Sequence, residues 1–344
     1  MKALFFDHHG KSDALKHGER PDPKAGPGEV VVRLEAAAMN RLDLFVLHGI
    51  PGVPPSLPHI PGADGYGRVE SVGDGVTDLS PGEHVVLQPG LGCGRCEFCL
   101  AGELPLCVDF RILGEHLAGT FAERVAVPRR NVFPAPPNLL PEKAAAFPLA
   151  ALTAWRMLVT RAQLRPGETV LIHGIGGGVS TFALQIARLS GASLVVVTSS
   201  SEEKRKKAEA LGADVVLDYT QVDVGKKVRE ITRKRGVDVV VDSVGAATWR
   251  SSLTAAAKRG RIVTCGATTG PNPEEEIRLI FWKQLAILGS TMGSDAEFAA
   301  MLRDVAAGRL DPVVDEVFPL AEAKRGFDRL ESGEGFGKIV FRIG

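Results

Sequence analysis

Four cysteines fall within fifteen residues: Cys93, Cys96, Cys99 and Cys107, in the run GCGRCEFCLAGELPLC. Thiolates spaced C-x2-C-x2-C-x7-C can converge on one tetrahedral ion, and four sulfurs with no open position describe a structural zinc site. Two disulfides or an iron–sulfur cluster would draw on the same residue type. Only one further cysteine, Cys265, occurs in the chain. Scarce thiols clustered this tightly favour a metal over a disulfide framework. A site closed by four cysteines performs no catalysis, so the reaction must be sought elsewhere.

The second chemical feature is LIHGIGGGVSTFALQIARLSGA, residues 171–192. An apolar strand ends at Ile172, the glycines Gly174, Gly176, Gly177 and Gly178 follow, and a helix opens near Gly178. Val179, Phe182, Ala183, Ile186 and Ala187 recur at helical spacing and give that helix one apolar face. Strand, glycine turn and helix N-terminus make a cradle for a pyrophosphate, where backbone N–H groups and the helix dipole favour negative charge. Gly174 and Gly176 fit the first two places of G-x-G-x-x-G, but Val179 stands where a third glycine would be. About twenty residues on, an NAD site would carry Asp or Glu at the end of the second strand. Ser199 stands there, with Lys204 and Arg205 a turn into the next helix. Hydroxyls beside cations suit a 2′-phosphate, so the expected cofactor is NADP(H). The same run also reads as a capping box, Ser200-x-x-Glu203, ahead of a solvated basic face.

The elements that must position these features divide by texture. Residues 1–150 carry short apolar runs (Val30–Leu34, Gly67–Val72, His84–Leu87) between turn signals such as AGPGEV, VGDGV and SPGEH, which predicts an antiparallel β domain. Residues 151–291 alternate β-rich runs with helical patterns: TVLI at 169–172, SLVVV at 193–197, DVVL at 214–217, DVVVD at 238–242 and RIVTC at 261–265. Continuous apolar strands between helices indicate a parallel sheet covered on both faces. Residues 292–344 return to mixed character, with helices expected near Ala296–Ala307 and Ala321–Glu331, an extended VVDEVFPL and a closing strand KIVFRI.

At 344 residues, two domains are the prior. Charge is balanced at 41 basic and 41 acidic residues, which gives no electrostatic reason to expect nucleic acid or an anionic membrane as partner. No run approaches the ~20 apolar residues of a membrane span, and the N-terminal MKALFFDHHGKSDALK lacks a signal-peptide core. A cytoplasmic location is the expectation, since thiols stay reduced there.

Over its whole length the chain resembles the medium-chain dehydrogenase/reductase superfamily, the zinc alcohol dehydrogenase and quinone oxidoreductase group. The likeness is carried by GPGEVVVRLEAAAMNRLD, LPHIPGADGYGRVESVGDGV, the four-cysteine lobe, GTFAERVAV, the glycine turn and FGKIVF. The resemblance implies an α/β protein. A GroES-like β-barrel catalytic domain would form from residues 1–150 and 292–344, with its zinc lobe at 92–108. A Rossmann doubly wound parallel sheet would span 151–291, with the active-site cleft between the two. It gives Cys93, Cys96, Cys99 and Cys107 the structural zinc and Thr153 a place against the nicotinamide. Tyr219, Gly266 and Lys338 complete the cofactor set. Homodimers or homotetramers are the implied assemblies.

Members with a catalytic zinc carry Cys, a His-Glu pair, and Cys or Asp at positions that here hold Asn40, Ala63 with Asp64, and Leu149. This pattern is similar to the quinone oxidoreductase branch. It predicts reduction of quinones or α,β-unsaturated carbonyls by direct hydride transfer without a catalytic metal, because a conjugated substrate delocalises the developing charge itself. Asn40, Asp43 and Asp64 are then the candidate polar groups at the substrate, and His116, in LGEHLAGTF, the candidate proton donor. Asp64 also has a bland reading, as the partner of an arginine such as Arg68. His59 and His116 are the histidines a relocated metal site with Asp43 or Asp64 would use, though nothing in their spacing asks for it. Two other readings stand beside the reductase: an NAD(P)-dependent alcohol dehydrogenase with atypical active-site ligation, and a low-turnover NADPH-binding sensor or structural protein.

Overall fold

The computed structural model describes residues 1–52 and 55–344. The chain forms two compact units, one from Met1–Ala150 with Gly293–Gly344 and one from Ala151–Met292. No helix among the described residues is long and apolar enough to cross a membrane.

The second unit is a six-stranded parallel sheet in the order Val215–Leu217, Leu194–Thr198, Thr169–Ile172, Val237–Asp242, Ala256–Thr264, Ala286–Gly289. That is the doubly wound 3-2-1-4-5-6 order, which reverses direction beside the first strand and opens a crevice at the carboxyl end of Ile172. The strands are Val- and Ile-rich because both faces are covered. Leu171, Val196, Val240 and Ile262 are buried in one cluster with Trp249 and Leu253 of the helix Trp249–Ala255.

The first unit is built on a seven-stranded sheet. Its path runs Val314–Pro319, Lys338–Arg342, Glu29–Ala38, Asp64–Val72, His84–Leu87 and Val132–Pro134, and Arg124–Pro128 also pairs with Glu29–Ala38. Its core gathers Phe121 edge-on to Phe341, with ring centroids 5.0 Å apart. Among the described residues every strand pairing within 1–150 is antiparallel, as the turn signals predicted, and the C-terminal segment adds Val314–Pro319, which runs parallel to Lys338–Arg342. The helix Ala323–Ser332 between those strands reverses the chain and makes the parallel pairing possible. The first 150 residues also contain helices the β texture hid, including Arg41–His48 and Pro141–Ala145.

One register decides where the polar side chains meet. Ala38 pairs with Asp64 on one side and Val340 on the other, and the Met39 N–H donates to the Ile339 carbonyl at 2.8 Å. Asn40, Asp64 and Lys338 therefore leave three adjacent strands at one end of the sheet.

Candidate active site, zinc lobe and nucleotide turn

In the cysteine lobe all four Sγ atoms lie within 4.8 Å of one another, three half-buried and Cys107 buried. Tetrahedral coordination at ~2.3 Å per Zn–S bond sets neighbouring sulfurs about 3.8 Å apart, and Cys93 and Cys99 already stand 4.0 Å apart. Backbone N–H groups of Cys93 and Asp109 point at Cys107 Sγ, and that of Cys96 at Cys93 Sγ, as thiolates require. Gly92 is needed for space, because a Cβ there would sit 2.5 Å from Leu104 and 3.0 Å from Cys99 Sγ. No disulfide joins the cysteines, and the donor set fits a structural zinc.

The end of the barrel sheet holds a buried polar group. Lys338 Nζ donates to Asp64 Oδ2 at 2.8 Å and to Asn40 Oδ1. Asn40 Nδ2 donates to the same Asp64 oxygen at 2.9 Å, and the Leu149 N–H donates to Asp64 Oδ1 at 2.7 Å. The pair is enclosed, with side-chain exposure of 3% for Lys338 and 0% for Asp64. Asp43 backs the group: its Oδ2 accepts the Asn40 N–H at 2.7 Å and its Oδ1 the Gly62 N–H at 3.0 Å, tying the start of the helix Arg41–His48 to the PGADG turn. Burial pushes the Asp43 carboxyl up to about 7, against the pull of its backbone donors and of Lys338.

Asn40, Asp64 and Leu149, the positions compared with zinc ligands, thus converge, but not as ligands. Both ends of the Asn40 amide are engaged, Ala63 and Leu149 offer no donor side chain, and N–H groups occupy both Asp64 oxygens. A catalytic zinc needs three protein donors and an open position; these residues do not fit one.

Other expectations are corrected here. Asp64 pairs with Lys338, and Arg68 pairs instead with Glu35 at 2.6 Å, because Arg68 is on the exposed face of its strand. Lys338, expected at the cofactor, is engaged inside the barrel sheet. His59 and His116 do not gather with the aspartates. His59 Nε2 contacts the Gly114 carbonyl at 2.9 Å, and His116 Nδ1 accepts the Ile112 N–H of its own turn at 3.2 Å. Burial lowers both histidines from the usual range. Among the described residues, no group of three or more His, Cys, Asp or Glu other than the four cysteines could share an ion.

In the nucleotide unit, the turn after Ile172 is held by Gly174 N–H to Thr198 Oγ1 at 3.0 Å and Ile175 N–H to the Thr198 carbonyl at 2.9 Å. Gly176 has φ +125, a backbone only glycine adopts freely. Gly177 caps the twelve-residue helix Gly178–Leu189 without a side chain, which leaves the first-turn amides of Gly178 and Val179 for a ligand. Open space beside Gly177, where a Cβ would meet nothing nearer than 3.8 Å, admits a phosphate. The turn fits a dinucleotide. Sequence reasoning missed what braces it: buried His173 contacts Ser252 Oγ at 3.0 Å, and Ser252 donates to Asp242 Oδ2 at 2.7 Å. Nothing in the local spacing links these three residues; only the strand order brings them together.

The residues expected to read the adenosine ribose are differently engaged. Ser199 is buried and its Oγ accepts the Ser201 N–H at 3.2 Å. Arg205 is held by Asp218 at 2.8 Å and by the carbonyls of Ser199 and Ser200. The next helix is capped by Ser201, which accepts from the Lys204 N–H, one residue later than the box read at Ser200. Tyr219 is half exposed and donates to Ser200 Oγ at 3.0 Å. Thr153 is buried with its Oγ1 3.9 Å from Met292 Sδ, and Gly266 lies at the end of the strand Ala256–Thr264.

Residues 26–137 match the alcohol dehydrogenase GroES-like domain and residues 178–307 the zinc-binding dehydrogenase domain. A zinc-type alcohol dehydrogenase-like protein of Schizosaccharomyces pombe is 36% identical, over 100% of this chain and 99% of its own. The chain belongs to the zinc-type alcohol dehydrogenase family. Members of this medium-chain dehydrogenase family similar to it include an NAD-dependent alcohol dehydrogenase of Saccharolobus solfataricus, 31% identical over 99% of both chains. A crystal structure of an NAD-dependent alcohol dehydrogenase superposes with a TM-score of 0.97 at 46% identity, covering 100% of both chains. These matches overturn the expectation of a quinone or enone reductase. That reading rested on three substituted positions, whereas the likeness to alcohol dehydrogenases runs the full length of both units. The chain is an oxidoreductase of the medium-chain, zinc-binding dehydrogenase family.

Proposed function

We propose that this chain is an NAD(H)-dependent alcohol dehydrogenase with atypical active-site ligation, interconverting a small alcohol and its aldehyde or ketone. The observation that carries the reading is the full-length likeness, in sequence and backbone, to NAD-dependent alcohol dehydrogenases. NAD(H) is preferred to the NADP(H) expected from the sequence, because Arg205 is neutralised by Asp218 and the Ser199 hydroxyl is turned inward. A 2′-phosphate would find less uncommitted positive charge there than the residue types suggested.

When bound, the nicotinamide supplies hydride acceptance and donation. The chain's own residues must manage the oxygen. Lys338 Nζ carries three N–H donors, of which Asn40 and Asp64 take two. Lys338 is only 3% exposed, so it acts as a positioning residue behind the substrate oxygen rather than touching it. Asp64 and Asn40 fix the position of the lysine, and Asp43 holds Asn40 through the helix start.

The test is NAD+ reduction with a panel of primary and secondary alcohols, and NADH oxidation with the matching aldehydes and ketones, metal being quantified on the same sample. The reading expects alcohol turnover, a preference for NAD+ and one zinc per chain. Absence of turnover with every alcohol and carbonyl, or a second zinc whose removal abolishes activity, overturns it.

A further inference from the structure

Asp242 closes the strand Val237–Asp242 and is fully buried. Four donors hold its carboxylate: Oδ1 accepts the N–H groups of Val244 and Gly245 at 2.9 and 3.0 Å, Thr248 Oγ1 stands 2.9 Å from both oxygens, and Ser252 Oγ donates to Oδ2 at 2.7 Å. Among the described residues no cation lies within ion-pair distance of it. Arg235 and Arg261 are committed toward the amino ends of the strands, to Asp238 at 2.6 Å and to Glu168 at 2.5 Å.

His173 reaches Asp242 only through the Ser252 hydroxyl. Ser252 gives its proton to Asp242, so His173 Nε2 donates to Ser252 Oγ at 3.0 Å. Burial lowers His173 from the usual range, against the pull of Asp242, which leaves the ring neutral. The helix Trp249–Ala255 starts beside Thr248 and offsets about half a charge at most. Hydrogen bonds make such a buried carboxylate tolerable without cancelling its charge. Its field is felt nearby: burial and Asp242 together push the Cys265 thiol up to about 12, one residue beyond the neighbouring strand Ala256–Thr264.

Strand order decides which part of a dinucleotide meets this charge. The phosphates belong at the turn after Ile172, and the adenosine ribose at the end of Leu194–Thr198, on one side of that turn. The nicotinamide half then falls on the other side, over the ends of Val237–Asp242 and Ala256–Thr264. The loop after Asp242 is fastened there, with Thr268 Oγ1 donating to the Ser243 carbonyl at 2.9 Å and Thr269 Oγ1 to the Val244 carbonyl at 2.8 Å. The charge is therefore fixed in place before a ligand arrives.

We propose that Asp242 discriminates the oxidised cofactor from the reduced one: its negative charge, unanswered by any cation, favours the positively charged nicotinamide ring over the neutral dihydronicotinamide. Hydride transfer from the dihydronicotinamide to a carbonyl carbon, with a proton going to the oxygen, creates that ring charge. Asp242 thus draws the equilibrium on the enzyme toward the alcohol. It acts through its field and not by contact. The inference rests on nicotinamide binding alone and holds whichever alcohol or carbonyl is turned over.

The test measures Kd by calorimetry for NAD+, NADH and ADP-ribose, which lacks the nicotinamide, on the whole protein without substrate. A 2′-phosphate is carried by all three ligands if the native chain binds NADP+ more tightly. Asp242→Asn should weaken the oxidised cofactor at least ~10-fold relative to the reduced one, about 1.4 kcal/mol, and should not weaken ADP-ribose. The amide oxygen still accepts both N–H groups and the NH2 still meets both hydroxyls, so the loop keeps its partners. Asp242→Ser, smaller and also uncharged, should move the ratio in the same direction, while Ser252→Ala keeps the charge and should leave the ratio alone. A ratio unmoved in both uncharged variants, or equal weakening of all three ligands, overturns the proposal and makes Asp242 a brace for the loop that follows it. A native chain that binds neither ADP-ribose nor either cofactor overturns the dinucleotide site, and this role with it.

Discussion

Lys338 Nζ lies 2.8 Å from Asp64 Oδ2, joining the closing strand of the chain to the strand that leaves the PGADG turn, 274 residues earlier. Both side chains are enclosed, so the pair is held by geometry rather than by mere proximity of charges. Removing one member of such a pair strands the other. Lys338→Met should therefore destabilise the barrel unit by roughly 3–5 kcal/mol, measured by urea unfolding. Adding Asp64→Asn to that variant should recover part of the loss, because the stranded charge goes with it. A cost below ~1 kcal/mol for Lys338→Met would show a hydrated, weakly coupled pair. The conservative Lys338→Arg should retain more alcohol turnover than Lys338→Met at equal stability.

Asp43 makes stability fall as pH rises. Its folded carboxyl stands at about 7 against an ordinary 3.8, because burial penalises the charged form. Below 3.8 the folded and unfolded states are both protonated and this contribution is complete. Between 3.8 and 7 the unfolded state ionises while the folded state holds its proton, which erodes stability by about 1.4 kcal/mol per pH unit. Above 7 the loss is complete and the curve from this group is flat. Urea midpoints at pH 5 and pH 8 should differ more in the native chain than in Asp43→Asn. Equal pH slopes in the two proteins would show that Asp43 is ionised in the fold throughout.

The zinc lobe should act on stability and not on chemistry. Its donors saturate a tetrahedral ion and leave no position for substrate. Cys96→Ser should lower zinc content and the thermal midpoint, while protein that remains folded keeps its KM for alcohol and its cofactor preference. A changed KM in a folded, zinc-depleted sample would give the lobe a part in the site.

What the sequence made legible follows from the range of the interactions involved. The cysteine lobe and the glycine turn are local: each is encoded within about twenty residues, the first legible from its spacing and the second from its spacing together with its place after the first strand of the alternation. The parallel sheet was legible too, because strands covered on both faces advertise themselves as unbroken Val and Ile runs. The group around Asp64 was only half visible. Asn40, Asp43 and Asp64 stood out as polar residues in apolar surroundings, but their partner came from a register shared by Ala38, Asp64 and Val340. No short motif encodes that register, so Arg68, close in sequence, was the natural but mistaken partner. The same holds for His173, whose contact with Ser252 spans 79 residues. The reaction type was misjudged for a different reason. Three substitutions at ligand positions report on local chemistry, whereas the likeness to alcohol dehydrogenases runs across the whole length.

Cofactor choice gives the last prediction. At the end of the strand Leu194–Thr198, Arg205 would be the natural anchor for a 2′-phosphate, but its guanidinium lies 2.8 Å from Asp218 and also donates to the Ser199 and Ser200 carbonyls. An arginine in that state is electrically balanced and sterically fixed, so it offers an incoming phosphate little net attraction. Asp218→Asn removes the balancing charge and leaves the arginine tethered by the two carbonyls. The ratio of kcat/KM for NADP+ over NAD+ should rise at least ~10-fold, about 1.4 kcal/mol, mainly through KM for NADP+. Arg205→Ala added to that variant should return the ratio to its starting value, which ties the effect to the freed guanidinium rather than to a loosened Asp218–Thr220 turn. A ratio unmoved by Asp218→Asn, with KM for NAD+ unchanged, would show that the ribose is read elsewhere and that the Arg205–Asp218 pair only fastens the helix Glu202–Ala210 to the end of the strand Val215–Leu217.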